Sequence, residues 1–153
     1  MALQEGSNDA LLEINNLKTH FSLDEGTVRA VNGVDLSINR GQVIGVVGES
    51  GCGKSMTAMS IMRLIPPPGE IVEGEIRFHR QNVNGNSSTI VDLAELHPNS
   101  TEIRTIRGNQ ISMVFQEPMT ALSPVRTVGK QLIEAILLHQ DVSQAEAREI
   151  AID

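Results

Sequence analysis

The chain has 153 residues, of which 40% are apolar, and a net charge of −7. That is enough for one domain, and the acidity argues against nucleic acid, whose binding by counterion release needs a basic face. With no Trp, no Tyr and three Phe, the core must rest on aliphatic side chains and Met, and the single Cys52 cannot form an internal disulfide.

No apolar run reaches the length of a membrane span, and residues 1–10 lack the basic and apolar regions of a secretory signal. Those ten residues read as polar and frayed. Residues 11–21 predict a strand, and Asp24, Glu25 and Gly26 a turn. Over residues 28–38, Val31, Val34, Leu36 and Ile38 alternate loosely with Asn32, Asp35 and Ser37, which predicts a half-buried strand with a bend at Gly33. These two segments should form an antiparallel layer. After a turn at Arg40 and Gly41, residues 43–47 carry no polar side chain, the pattern of a strand covered on both faces.

A glycine-rich loop follows, and residues 54–64 predict a helix stopped by Pro66, Pro67, Pro68 and Gly69. On it, Met56, Met59 and Met62 read as core filling. Residues 71–79 predict a strand, Asn84 and Gly85 a hairpin turn, and 89–93 a return strand. A short helix is expected at 102–106 and a second apolar strand at 111–115, with Pro118 and Pro124 bracketing a loop. From Val128, apolar residues at Leu132, Ala135 and Ile136 mark an amphipathic helix, and Ser143 with Glu146 forms the capping box of another. That last helix has barely begun at Asp153, so the sequence reads as unfinished.

The loop Gly48, Glu49, Ser50, Gly51, Cys52, Gly53, Lys54, Ser55 matches the phosphate-loop pattern, lying after an apolar strand and opening a helix as that pattern requires. Its glycines permit close approach of backbone to phosphate. Its N–H groups form an anion nest, reinforced by the helix terminus. Lys54 should reach the β- and γ-phosphates and Ser55 should place its hydroxyl on Mg²⁺. The N–H groups of Met56 and Thr57 lie near the α-phosphate by position. Cys52 reads as a tolerated position within the loop.

A phosphate loop alone does not choose among kinases, GTPases and transport ATPases. The stretches VRAVNGVDLSINRGQVIGVVGESGCGKS and IRGNQISMVFQEPMTALSPVRTVGKQL resemble the opening and the Q-loop region of ABC-transporter ATP-binding domains. QEPMT with a nearby Pro is similar to the ATPases of oligopeptide and dipeptide importers. The resemblance covers nearly all of residues 11–153. It implies an α/β fold of the P-loop NTPase type, an antiparallel strand layer joined to a P-loop core over residues 11–125. The start of a helical subdomain would lie at 126–153.

The resemblance also implies that Gln116 is the Q-loop glutamine, a ligand of Mg²⁺ and of the attacking water, as an amide oxygen can be. For the aromatic residue that stacks on adenine, Phe21 is the nearest candidate, with His20 beside it; a core role fits Phe21 equally. ATP and Mg²⁺ would be the cofactors, and Lys54 and Gln116 the catalytic contributors. The partners would be transmembrane permease subunits, a second ATP-binding subunit and, indirectly, a solute-binding protein, at the cytoplasmic face of the cell membrane. A signature loop, an apolar strand ending in Asp-Glu and a switch His are not found, so these 153 residues are expected to bind ATP without hydrolysing it. A free-standing regulatory nucleotide-binding module and a small-molecule kinase are the other readings.

Overall fold

The computed structural model describes residues 9–81, 88–116 and 122–152. The expected turn at Asn84 and Gly85, Pro118, and most of the N-terminal segment lie outside them. The chain divides into two compact units, Met1–Ile103 and Arg104–Asp153.

In the first unit, β1 (Ala10–Leu23) turns through Asp24 and Glu25 into β2 (Gly26–Asn39), and Leu23 pairs with Gly26. Ala10, expected to fray, is instead buried as the first residue of β1. β3 (Gly69–Gln81) flanks β1 on its other side and pairs in turn with β4 (Ser88–Asp92), giving an antiparallel sheet of order β2-β1-β3-β4.

β1 changes its inward face midway. Ala10, Leu12 and Ile14 are buried, then Leu17 and Thr19, so the alternation slips by one residue between Ile14 and Leu17. Asn16 supplies the extra residue, with φ +47, and the register shifts there against both neighbours. The bulge needs room on both sides. Gly33 of β2, with φ +84, is the bend expected there, while Gly74 of β3, at φ +103, lies so close that a Cβ would come within 2.6 Å of Asn16 O and Leu17 Cα. Polar groups then fasten it: the Asn16 N–H donates to Asp35 Oδ1 at 2.7 Å, and the Asn16 side-chain amide donates to Glu73, which also pairs with Lys18 at 2.6 Å.

The buried residues Val31, Met62, Ile76, Phe78, Leu93 and Ile103 complete this core, each full burial of such a side chain contributing about 1.5–3 kcal/mol. α1 (Lys54–Ile61) ends before the Leu64 expected for it, and the proline run is not what stops it. Arg63 turns left-handed at φ +52, its N–H meets Ser60 O at 3.1 Å, and the Leu64 N–H meets Met59 O at 2.8 Å, so the last carbonyls are satisfied by a Schellman turn. Of the methionine stripe only Met62 is fully buried; Met56 and Met59 are half-buried.

Residues 43–47 depart from expectation. They are not part of a strand, and Val43 and Val47 are 96% and 95% exposed. A strand covered on both faces needs neighbours for its N–H and C=O groups, and among the described residues no strand pairs with this one. Residues 111–115 behave alike: Ile111 makes one isolated bridge with Arg107, and Val114 is exposed.

The boundary between the units falls within α2 (Thr101–Ile106). In the second unit, α3 (Val128–His139) and α4 (Gln144–Ile150) are the helices expected. The capping box is present: the Ser143 N–H donates to Glu146 Oε2 at 2.8 Å and the Glu146 N–H to Ser143 Oγ at 3.3 Å. Ile106 and Ala147 are buried. Gly108, at φ +78, lies under the His139 ring, where a Cβ would be 2.5 Å from Nε2.

Candidate functional site

The phosphate-type loop runs from Gly48 to Gly53, directly ahead of α1. Gly53 is the N-cap of that helix in a left-handed conformation, φ +94, with no side chain capping it. A side chain there would be strained and blocked as well: a Cβ would lie 2.5 Å from the backbone oxygen of Ala30 in β2. The loop is therefore seated with its last glycine against the β1–β2 hairpin.

The first-turn N–H groups of Lys54, Ser55 and Met56 have no intrahelical partners, as at any helix start, and no side chain caps α1 in their place. The residues that bear them, with Ser50, Gly51, Gly53 and Ala30, line a cavity of about 290 Å³. The Ser55 side chain is exposed there. Lys54 Nζ donates to the backbone oxygens of Gly48 at 2.8 Å and Glu49 at 2.7 Å, and lies 3.5 Å from Cys52 Sγ. The ammonium thus spans the first half of the loop, so Gly48, Glu49 and Cys52 are tied to the cavity through it. The Cys52 N–H closes a turn onto Glu49 O at 3.3 Å, and Cys52 is a free, exposed thiol. Thr57 is placed differently. Its N–H and its hydroxyl both go to the Gly53 carbonyl, at 2.8 and 3.0 Å, and it is not among the residues lining the cavity.

This donor set suits an anion. The residues at the uncapped helix start, Lys54 among them, line one cavity at the positive end of the helix dipole, and no carboxylate lines it. Among the described residues no group of three or more His, Cys, Asp or Glu could hold a metal ion. Mg²⁺ does not require such a cage, since it binds through one or two protein oxygens together with phosphate oxygens and water. Ser55 can offer one such oxygen.

Phe21 stands elsewhere on the hairpin. It pairs with Val28 and Gly69, is half-buried, and packs its ring over Gly69, where a Cβ would come within 2.5 Å of Cε1. His20 keeps its Nε2 buried without a hydrogen-bond partner. Gln116 belongs to the second compact unit, where it is exposed and follows Phe115. Ala30 was not legible as a site residue: nothing in its local sequence marks it, and its role comes from the close approach of Gly53.

The sequence profile of the ABC transporter family matches residues 31–152. The chain belongs to that family. Among the curated relatives of this ABC chain is the protein of Sinorhizobium fredii named a probable peptide ABC transporter ATP-binding protein, 45% identical over 95% of this chain and 40% of the relative. Another is the oligopeptide transport ATP-binding protein AppD of Bacillus subtilis, 42% identical over 94% of this chain and 40% of the relative. The chain thus spans about 40% of the length of these relatives. The fold matches the ATP-binding cassette MJ0796, solved as a dimer bound to ADP and Pi, with a TM-score of 0.71 and 24% identity over 93% of this chain and 54% of that one. The α/β ABC-ATPase fold expected from the phosphate loop and its flanks is the fold observed. No helix among the described residues is long and apolar enough to cross a membrane.

Proposed function

We propose that this chain is the phosphate-binding and Q-loop part of the ATP-binding subunit of an ABC importer for peptides, working with MgATP. The observation that carries the reading is the uncapped start of α1 beside Lys54, held open by a glycine that no other residue could replace without moving Ala30. The relatives' names supply the solute class.

In this reading the N–H groups of the loop and of Lys54, Ser55 and Met56 take the phosphate oxygens, and Lys54 exchanges the Gly48 and Glu49 carbonyls for the β- and γ-phosphates. Ser55 would be a protein ligand of Mg²⁺, which would neutralise phosphate charge there, and Gln116 is the Q-loop glutamine of the second unit. Thr57 serves the same end indirectly, by fixing the Gly53 carbonyl. Phe21 is the candidate for base stacking, beside the core role that its packing over Gly69 supports. Permease subunits, a second ATP-binding subunit and, indirectly, a solute-binding protein are the partners, and the subunit sits at the cytoplasmic face of the cell membrane. Phosphoryl transfer to water is the reaction of the intact protein. The sequence contains no LSGGQ-like segment and no apolar run ending in Asp-Glu, which supports the reading that this chain alone binds without steady-state turnover.

The test is titration of the full chain with a fluorescent ATP analogue in Mg²⁺, displaced by ATP. Lys54→Ala should weaken binding by about tenfold or more, since a charge-assisted contact to phosphate is lost. Equal affinity in wild type and Lys54→Ala would refute the reading. Phosphate release by wild type clearly above that of Lys54→Ala would refute the binding-only assignment.

A further inference from the structure

Thr19 of β1 and Ser60 of α1 are fully buried polar residues in the core of the first unit, and their hydroxyl oxygens are 2.8 Å apart. Ser60 Oγ also donates to the backbone oxygen of Met56 at 2.7 Å. A hydroxyl has one proton to give. With that of Ser60 committed to Met56, the Thr19 hydroxyl must donate to Ser60, and the relay runs from Thr19 through Ser60 to the Met56 carbonyl. Met56 is the third residue of α1 and lines the cavity at the phosphate-type loop.

Packing does not require this arrangement. Val and Ala would fill the same places, and a buried hydroxyl brings no gain over a methyl unless its hydrogen bond is needed. What a hydrogen bond adds is direction, which apolar contact lacks. The place of the pair shows what is being directed. Thr19 pairs across the sheet with Val31, and the neighbouring residue, Ala30, is the one whose carbonyl lies against Gly53. The β1–β2 hairpin therefore holds the helix start at two points: a close backbone approach at its N-cap and a hydroxyl relay ending on its first turn.

We propose that Thr19 and Ser60 are positioning residues for phosphate binding, fixing the tilt of α1 on the hairpin so that the N–H groups of Lys54, Ser55 and Met56 converge on one anion. This rests on the reading of the loop as a nucleotide site. The experiment measures MgATP affinity and melting temperature of the full chain for each variant. Thr19→Val should weaken MgATP binding about fivefold, the size of one ordinary hydrogen bond, while Thr19→Ser stays within about twofold of wild type. The double variant Thr19→Val/Ser60→Ala removes both polar groups and should recover the wild-type melting temperature, yet remain weakened in binding. Ile76→Val, in the same core away from the loop, should lower the melting temperature and leave affinity unchanged. Wild-type affinity in Thr19→Val and in the double variant overturns the proposal, as does an affinity loss of equal size in Ile76→Val. If wild type itself fails to bind MgATP, or Lys54→Ala binds as wild type does, the nucleotide reading falls and the proposal with it.

Discussion

Leu17 stands among polar neighbours and Val47 ends a wholly apolar run of the same unit, yet Leu17 is 0% exposed and Val47 95%. β1 has a partner strand on each side, while residues 43–47 have none among the described residues. An apolar run states a demand for burial and leaves open which part of the chain meets it. The comparison predicts the largest difference in stability. Leu17→Ala should cost about 2–5 kcal/mol, the range for emptying a well-packed core site. Val47→Ala should stay within about 0.5 kcal/mol, as exposed substitutions do. Thermal melting of the two variants decides it, and a comparable cost at both sites would mean that residues 43–47 are covered in solution.

Glycine substitutions sharpen the same contrast at a smaller scale. Gly74, opposite the bulge at Asn16, has φ +103 and backbone atoms 2.6 Å from where a Cβ would stand, whereas Gly45 meets nothing within 4 Å. Gly74→Ala should cost about 1–3 kcal/mol from backbone strain alone. Gly45→Ala, at ordinary φ, should be neutral or slightly stabilising, by about 0.4–1 kcal/mol through the unfolded chain. Denaturant melts of both variants read this difference, and equal effects would remove the bulge as a rigid feature.

The features legible in sequence were those written in consecutive residues. The loop from Gly48 to Ser55, the capping box at Ser143 and Glu146, and the antiparallel pair around Asp24 and Glu25 each follow from residue types at fixed spacing. Features that depend on contacts between distant residues were not legible. The slip of inward face in β1 needs Gly33, Gly74 and Asn16 together. Thr19 and Ser60 look like unremarkable polar residues until the fold brings them within 2.8 Å. The end of α1 was assigned to prolines because Arg63 carries no sign of a left-handed φ, a place usually filled by Gly.

The second unit holds its loops by side chains more than by sheet neighbours. Gln131 on α3 accepts from the Ser123 N–H at 2.8 Å and donates to the carbonyls of Ser123 at 3.2 Å and Arg126 at 3.0 Å, so one amide closes the turn before the helix. Gln131→Ala should cost about 1 kcal/mol, the net worth of such bonds. Hydrogen exchange should report faster loss of the Ser123 amide with the α4 amides unchanged. Unchanged exchange at Ser123 would show that the turn holds itself.

The smallest effects are expected from acid. Among the described residues, one exposed carboxylate in each unit is held below its ordinary value of 4.5: Glu73 by the hydrogen bond and then the charge of Lys18, and Glu146 by hydrogen bonds from the Ser143 side chain and backbone. A depressed folded value means that the contribution is complete above the unfolded value and is lost as pH falls through the folded one. Both contacts should therefore hold at neutral pH and fade below about pH 4.5, where proton binding favours the unfolded chain. Salt separates them. Lys18 and Glu73 form an ion pair at 2.6 Å in water, which added salt screens. Ser143 carries no charge, so the capping box should lose little. Glu73→Gln should flatten the acid side of the melting profile at low salt and have less effect at high salt. Glu146→Gln should instead flatten the acid dependence of exchange at the α4 amides by the same amount at both salt levels. A salt-sensitive α4 would mean that its cap is held by charge and not by the reciprocal bonds with Ser143.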